Sequence, residues 1–101
     1  MQVKWTGRHI SLSPAQVEKL EADVSRVGKL LDTGKGEADI HVVLTHESHT
    51  NIVEMKVNYH HHELVANAQG GDLIAAAHAA AGKLEKQALK LREKWRDSHR
   101  V

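Results

Sequence analysis

The 101-residue sequence contains no cysteine, no phenylalanine, one proline and only three aromatic residues, Trp5, Tyr59 and Trp95. Without cysteine, neither a disulfide-stabilised secreted scaffold nor a thiolate metal site can form. So few aromatics argue against a single-strand nucleic-acid binder, because such proteins stack bases on exposed aromatic rings. No segment approaches the roughly 20 apolar residues of a membrane span, and residues 1–5 lack a signal peptide's apolar stretch. We therefore expect a cytoplasmic protein with no membrane segment.

The sequence also offers little for catalysis. It has no glycine-rich phosphate loop and no nucleophile elbow. Asp72 suits a helix cap, and the other carboxylates lie on polar faces without an obvious histidine or serine partner. A domain of this size buries only about 60–65% of its unfolded surface, which leaves no room for a deep cleft. We predict one domain spanning residues 1–101, with no cofactor and no enzymatic activity.

Histidine, in contrast, is abundant, with nine residues. They are His9, His41, His46, His49, His60, His61, His62, His78 and His99. Three consecutive histidines in a turn cannot easily converge on one ion, so we predict no metal site. Protonation of all nine would raise the net charge from +1 to +10. Because histidine titrates near pH 6.5, we hypothesise that mild acidification strengthens attraction to a polyanion.

The first third of the sequence predicts a strand followed by a helix. Alternating apolar and polar residues predict a short strand that ends at Gly7. Ser13 is then a helix N-cap, Pro14 occupies the first helical position, and Gln16 completes a capping box. Apolar residues follow at steps of three and four: Val17, Leu20, Val24, Val27 and Leu31. Residues 34–36, Gly-Lys-Gly, are expected to end this segment.

Three further stretches alternate with a period of two and predict antiparallel strands joined by short polar turns. Their apolar faces carry Ile40, Val42 and Leu44, then Val53, Met55, Val57 and Tyr59, then Leu64, Ala66 and Ala68. After them Asp72 caps a long helix. Its apolar seam consists of Leu73, Ala77, Ala80, Leu84, Ala88, Leu91 and Trp95. The predicted fold class is α+β in the order β-α-β-β-β-α, with both helices on one face of a four-stranded sheet and the other face polar.

The last helix carries the clearest candidate binding surface. Residues 1–82 hold seven Lys/Arg against ten Asp/Glu, whereas residues 83–101 hold seven against three. Four lysines on this helix fall within about 80° of one another, at about 120° from the centre of the apolar seam. They are Lys83, Lys86, Lys90 and Lys94, which we call the lysine row. Because like charges at this spacing repel, we expect the row to act together on a phosphate backbone. Arg92 and Arg96, on the other flank, join the candidate RNA-binding set.

Two other interpretations of this surface remain open. The lysines can form a solvated face whose stems cover apolar neighbours, with partial neutralisation from Glu85 and Glu93. Alternatively, the protein is an interaction module that binds a protein regulator through its polar sheet face, as in sigma-factor modulation. If RNA is the partner, the scarcity of aromatics favours recognition of structured RNA by shape and phosphates.

Three segments resemble the family of ribosome hibernation-promoting factors and ribosome-associated inhibitors. The N-terminal segment is similar at residues 1–3 (MQV), 6–10 (TGRHI) and 13–15 (SPA). Residues 70–77 (GGDLIAAA) resemble the glycine-aspartate segment that opens the family's second helix, and residues 83–91 (KLEKQALKL) resemble its lysine-leucine repeat. The resemblance covers essentially the whole chain, in matching element order.

This resemblance implies a domain similar to double-stranded-RNA-binding domains that docks on the small, 30S ribosomal subunit and its 16S rRNA. There it would occupy the channel for messenger and transfer RNA, so that translation stops and the ribosome is stored under stress. Positions that match the family's basic, RNA-facing pattern are Lys83, Lys86, Lys90, Arg92 and Lys94, with Arg26 on the first helix.

The sequence also departs from the family pattern. Asp23 and Val17 stand where relatives usually carry basic residues, Ile74 replaces a customary tyrosine, and His78 stands where an acid is common. The sequence ends at residue 101, and we expect neither the further ribosome-pairing domain of long relatives nor the acidic tail of some short ones. It therefore resembles the short type, which we expect to be a monomer that acts alone or beside a separate ribosome-dimerising factor.

Overall fold

The computed structural model describes the backbone of residues 2–31, 38–59 and 62–98, and the side chains in these ranges except those of residues 92 and 94–98. Some predictions therefore lie outside the described residues: the helix end at 34–36, the histidines His60, His61 and His99, and the side chains of Arg92, Lys94, Trp95 and Arg96.

The element order is β-α-β-β-β-α, as predicted. The elements are β1 (Gln2–Arg8), α1 (Pro14–Leu31), β2 (Asp39–Glu47), β3 (Thr50–Tyr59), β4 (His62–Gly70) and α2 (Leu73–Ser98). Both arms of the predicted capping box form at the start of α1. The Ser13 amide donates to Gln16 Oε1 at 2.9 Å, and the Gln16 amide donates to Ser13 Oγ at 3.2 Å. These bonds satisfy amides that a helix start otherwise leaves unpaired.

The four strands form one mixed sheet in the order β1-β2-β3-β4. β1 runs parallel to β2, while β2–β3 and β3–β4 are antiparallel. Two residues, Ser48 and His49, connect β2 to β3 with φ angles of 48° and 62°. Left-handed backbone at both positions suits the twist of a two-residue hairpin. The parallel pair needs a longer crossover, and α1 supplies it.

The core lies between one sheet face and the two helices, as predicted. The buried strand residues alternate in sequence and pair across the sheet, for example Val42 with Met55 and Met55 with Ala66. The other strand residues in this core are Ile40, Leu44, Val53 and Val57. α1 contributes Leu20, Val24, Val27 and Leu31, and α2 contributes Leu73, Ala76, Ala77, Ala80, Ala81, Leu84 and Ala88. Within the described residues, neither helix is long and apolar enough to cross a membrane.

The second sheet face carries no helix and is mainly polar, as expected. We call it the open face. It includes Lys4, Thr6 and Arg8 of β1, which pair in register with His41, Val43 and Thr45 of β2. Thr6 Oγ1 and the Nε2 atom of His41 are 2.9 Å apart. Three apolar side chains interrupt this face: Val43, Ile52 and Val65.

Candidate nucleic-acid interface

The start of α2 is fixed by local hydrogen bonds. Asp72 Oδ1 accepts the amides of Ile74 at 3.0 Å and Ala75 at 3.4 Å, which confirms the predicted cap. The preceding residue is held as well, because Asn51 Nδ2 donates to the Gly71 carbonyl at 3.2 Å. A carboxylate at a helix start also interacts favourably with the helix dipole. α2 therefore leaves the sheet in a defined direction.

The apolar seam sets the rotation of α2 about its own axis. Leu84 and Ala88 are fully buried, while Lys83, Lys86 and Lys90 are exposed. α2 packs on β3 and β4 with one side and on α1 with another. The three described members of the lysine row therefore share one exposed flank of the helix, as the 100° periodicity predicts.

Two side chains of α2 tie this flank to the free edge of β4. Lys83 Nζ donates to the carbonyl of Asn67 at 2.8 Å, and Gln87 Nε2 donates to the carbonyl of Val65 at 2.9 Å. Both carbonyls belong to an edge strand, which pairs only with β3. An ammonium group has three donors, so Lys83 retains two for another acceptor. The lysine row is thus placed along the β4 edge of the sheet.

Lys86 and Lys90 differ from Lys83 in having no protein partner in the described part of the chain. No carboxylate among the described side chains lies within 4 Å of either ammonium group, including that of exposed Glu93. Their charges are therefore available to an external anion. The backbones of residues 92, 94 and 96 continue α2 beyond this point.

Arg26, the candidate RNA-binding residue on α1, lies in a different environment. Its guanidinium forms an ion pair with Asp23, and its Nε lies 3.5 Å from Glu85 Oε1 on α2. His78 Nδ1 lies 3.2 Å from Asp23 Oδ1. The Asp23 side chain is only 10% exposed, whereas that of Arg26 is 50% exposed. We call these four residues the interhelix cluster. Arg26 is thus committed to carboxylates between the helices and is not brought together with the lysine row.

Sequence reasoning did not foresee the interhelix cluster. The spacing of Asp23 and Arg26 (i, i+3) was a visible signal, because residues three apart share a helix face. Asp23 and His78, which the resemblance marks as expected departures from the family pattern, contact each other in the structure. Glu85 Oε1 is buried and has no hydrogen-bond partner within the described residues, so the Arg26 charge is its nearest compensation.

The histidines do not gather into a metal site where the structure describes them. Residues 2–31, 38–59 and 62–98 contain no group of three or more potential ligands positioned for one ion. His46 Nδ1 instead lies 2.9 Å from Asn51 Oδ1, which can only accept, so this nitrogen carries the proton. The absence of a metal from the whole protein stays a prediction, since His60, His61 and His99 lie outside the described residues.

Similar solved structures share this fold. The crystal structure of the N-terminal domain of Protein Y from Thermus thermophilus matches with a TM-score of 0.78 at 24% identity, covering 90% of this chain and 99% of that one. The structure of a ribosomal subunit interface protein from Coxiella burnetii matches with a TM-score of 0.77 at 23% identity, covering 92% and 99%. At these identities the likeness concerns the fold.

Sequence comparison extends the likeness to named relatives. A ribosome hibernation promoting factor from Azotobacter vinelandii is 30% identical over 94 residues, which cover 93% of this chain and 85% of the relative. One from Klebsiella oxytoca is 28% identical over 94 residues, covering 93% and 96%. Residues 3–96 match the family described as Sigma 54 modulation protein / S30EA ribosomal protein. The chain therefore belongs to this family, whose members are binding proteins and not enzymes, and the predicted resemblance is confirmed.

Proposed function

We propose that this protein binds the ribosome and promotes its hibernation by occupying the messenger and transfer RNA channel of the 30S subunit. The names of its relatives support the association with hibernating ribosomes. The observation that carries the finer proposal is that Lys86 and Lys90, beside Lys83 on one flank of α2, are exposed and have no carboxylate within 4 Å among the described side chains. This flank would contact 16S rRNA.

The shape of the lysine row suits a phosphate backbone. From Lys83 to Lys94 the helix rises by about 16 Å, a length over which a nucleic acid presents several phosphates. Lysine ammonium groups contact phosphates without reading base identity, so this surface would recognise folded RNA by position and shape. Lys94, Arg92 and Arg96 remain predicted members of the interface, because the α2 backbone continues through their positions.

Arg26 would contribute less to RNA binding than the lysine row. Its guanidinium already faces two carboxylates, so an incoming phosphate would compete with Asp23 and Glu85. Detaching it would leave the mostly buried Asp23 carboxylate with less compensation, which is costly in a low-dielectric environment. We therefore infer that the 30S contact is centred on α2. The protein would act in the cytoplasm as a monomer, alone or beside a separate ribosome-dimerising factor.

Co-sedimentation with ribosomes from resting cells tests this proposal. The test variant changes Lys83, Lys86, Lys90 and Lys94 to glutamate. Its matched control has the same net charge, because it changes four lysines outside α2 to glutamate. They are Lys4, Lys19, Lys29 and Lys56. We expect the test variant to remain in the supernatant and the control to pellet with the 30S subunit. Equal binding by both variants would reject the lysine row as the binding site. Pelleting with the 50S subunit alone would reject the 30S subunit as the partner.

Salt separates this function from a protein-interaction role of the sigma-factor-modulation type. If four to six phosphates are contacted, the logarithm of the affinity falls against the logarithm of salt with a slope of about −3 to −5. A contact between the open face and a protein regulator would have a much shallower slope. Binding that is insensitive to salt between about 50 and 200 mM would contradict the phosphate interface.

A further inference from the structure

The two edge strands of the sheet differ in whether side chains bond to their free backbone groups. At β4, the side chains of Lys83 and Gln87 occupy two edge carbonyls, those of Asn67 and Val65. Among the described residues, β1 pairs with β2 alone, and no side chain bonds to the backbone of Gln2–Arg8. An exposed strand edge of this kind can pair with another extended chain.

The direction of the free backbone groups follows from the β1–β2 pairing. The Gln2 amide donates to the Ala38 carbonyl at 3.1 Å, so Gln2 faces β2. Because successive residues of a strand direct their backbone groups to opposite sides, those of Val3, Trp5 and Gly7 point away from the sheet. Three amides and three carbonyls are thus aligned for a further strand.

An apolar groove of about 210 Å³ runs beside this edge, between β1 and α1. Trp5 borders it and is 37% exposed, which is high for a large apolar side chain. The other apolar side chains along the groove are Ile10, Leu12, Val17, Leu20 and Leu44. One acidic residue, Glu21, also lines it. Alternate side chains of an added strand would enter this groove and become buried there.

The remaining side chains of an added strand would lie on the open face, next to Lys4 and Arg8. β1 contains these two basic residues and no acidic one. A second copy of the chain, paired through its own β1, would add only basic charges to this edge and no acidic residue opposite Lys4 or Arg8. In registers that place these residues opposite one another, the like charges destabilise the pair. Opposite charges across strands are favourable by similar amounts. Charge complementarity therefore points to an acidic partner.

We propose that the β1 edge binds an extended peptide segment of another protein, one that alternates apolar and acidic residues, as a fifth strand of the sheet. Its apolar side chains fill the groove beside Trp5, and its carboxylates lie opposite Lys4 and Arg8. The lysine row is at the opposite, β4 edge of the sheet. The protein can therefore hold this peptide and RNA at the same time, and the peptide site stands independently of the proposed ribosome contact.

Fluorescence anisotropy with two labelled eight-residue peptides tests the charge preference. One peptide alternates valine with glutamate, and the other alternates valine with lysine. We expect the glutamate peptide to bind about tenfold more tightly, from two favourable cross-strand charge pairs replaced by two repulsive ones. The Lys4→Glu/Arg8→Glu variant should invert this order. The Lys19→Glu/Lys29→Glu variant, with the same net charge and both changes on exposed α1 positions, should keep it.

Backbone pairing is tested separately by methylating peptide amides. Methyl groups on every second nitrogen block one edge of the peptide strand, and the two alternate patterns block opposite edges. One pattern should abolish binding and the other should retain it. Amide chemical-shift changes in the protein should centre on Val3, Trp5 and Gly7. Equal affinity for both charge peptides, shifts centred on the lysine row, or dimerisation of the protein through β1 would each overturn the proposal.

Discussion

The two flanks of α2 both carry charged side chains, but they differ in whether those side chains have a protein partner of opposite charge. On the flank that faces α1, Glu85 and His78 meet Asp23 and Arg26, and every charged member has a partner of opposite sign. On the flank along β4, Lys86 and Lys90 have no carboxylate within 4 Å among the described side chains. The difference teaches that partners, and not the number of basic residues, decide where an external anion can bind.

Asp23 and His78, the two expected departures from the family pattern on this flank, lie together in the structure. Asp23 Oδ1 is 3.2 Å from His78 Nδ1 and also accepts from Arg26. Because Asp23 holds the Arg26 charge, α1 offers less free positive charge, and the proposed RNA contact depends more on α2.

The largest expected effect is a loss of protein stability when Asp23 is removed from the interhelix cluster. Asp23→Ala should lower the free energy of unfolding by about 2 kcal/mol, because it removes the carboxylate that accepts from Arg26 and contacts His78, and it opens a gap between the helices. Urea unfolding measures this change. Asp39→Ala, which removes an exposed carboxylate outside the interhelix cluster, is the control and should cost little. Ribosome affinity of the folded Asp23 variant should be nearly unchanged, because Glu85 still faces Arg26. A large gain would show that the freed Arg26 reaches RNA, and a large loss would contradict the assignment of this flank to the fold.

Neutralising one charge on each flank compares their contributions to binding directly. Lys90→Gln should weaken ribosome binding by about 1 kcal/mol and make the salt slope shallower by about one unit, as expected for one lost phosphate contact. Arg26→Gln should leave the slope unchanged. Filter binding over a salt series measures both. If the arginine variant changes the slope as much as the lysine variant, then pairing with carboxylates does not remove a cation from the interface.

A smaller effect is expected at Gln87, a neutral residue on the same flank of α2 as the lysine row. Gln87→Ala removes one hydrogen bond to the Val65 carbonyl and should cost about 1 kcal/mol of stability. Ribosome affinity should stay within twofold if the lysines alone bind RNA. Gln87→Glu provides the contrast, since its carboxylate cannot donate to the carbonyl and should weaken ribosome binding as well. Thermal denaturation and co-sedimentation together separate the two effects.

The smallest expected effect concerns pH. Lowering the pH from 7.5 to 6.0 at constant salt adds positive charge through the histidines and should strengthen ribosome binding by about twofold. The expected effect is small because the described contacts of His41, His46 and His78 are with Thr6, Asn51 and Asp23, and not with the lysine row. Equal affinities at the two pH values would end the hypothesis that acidification promotes binding.

Most of the fold could be predicted because its signals are local. The capping box at Ser13 and the cap at Asp72 each involve residues within three positions of one another, and the structure contains both. Alternation with period two gave the strands and their buried faces. The free edge of β1 and its groove depend on how α1 crosses the sheet, which periodicity does not report. They became visible only with the strand order.

The candidate site could also be predicted only in part from the sequence. The apolar seam fixes the orientation of α2, so the exposed flank with Lys83, Lys86 and Lys90 could be predicted from helical spacing. The bond from Lys83 to Asn67 could not, because it joins residues on two elements. The pairing of Arg26 with Glu85 likewise required the packing of α1 on α2. Charges that share one helix are foreseeable, and charges that meet across helices are not.

The parallel pairing of β1 with β2 has a consequence for the order of folding. β1 is synthesised before α1, and its partner strand β2 follows only after the whole of α1. α2, which supplies about a third of the buried apolar residues in the described part of the chain, is synthesised after all four strands. A nascent chain can therefore form hairpins early, but it cannot close this core until α2 has emerged. The surface that is proposed to stop translation thus forms only once the sheet and α2 have both been made.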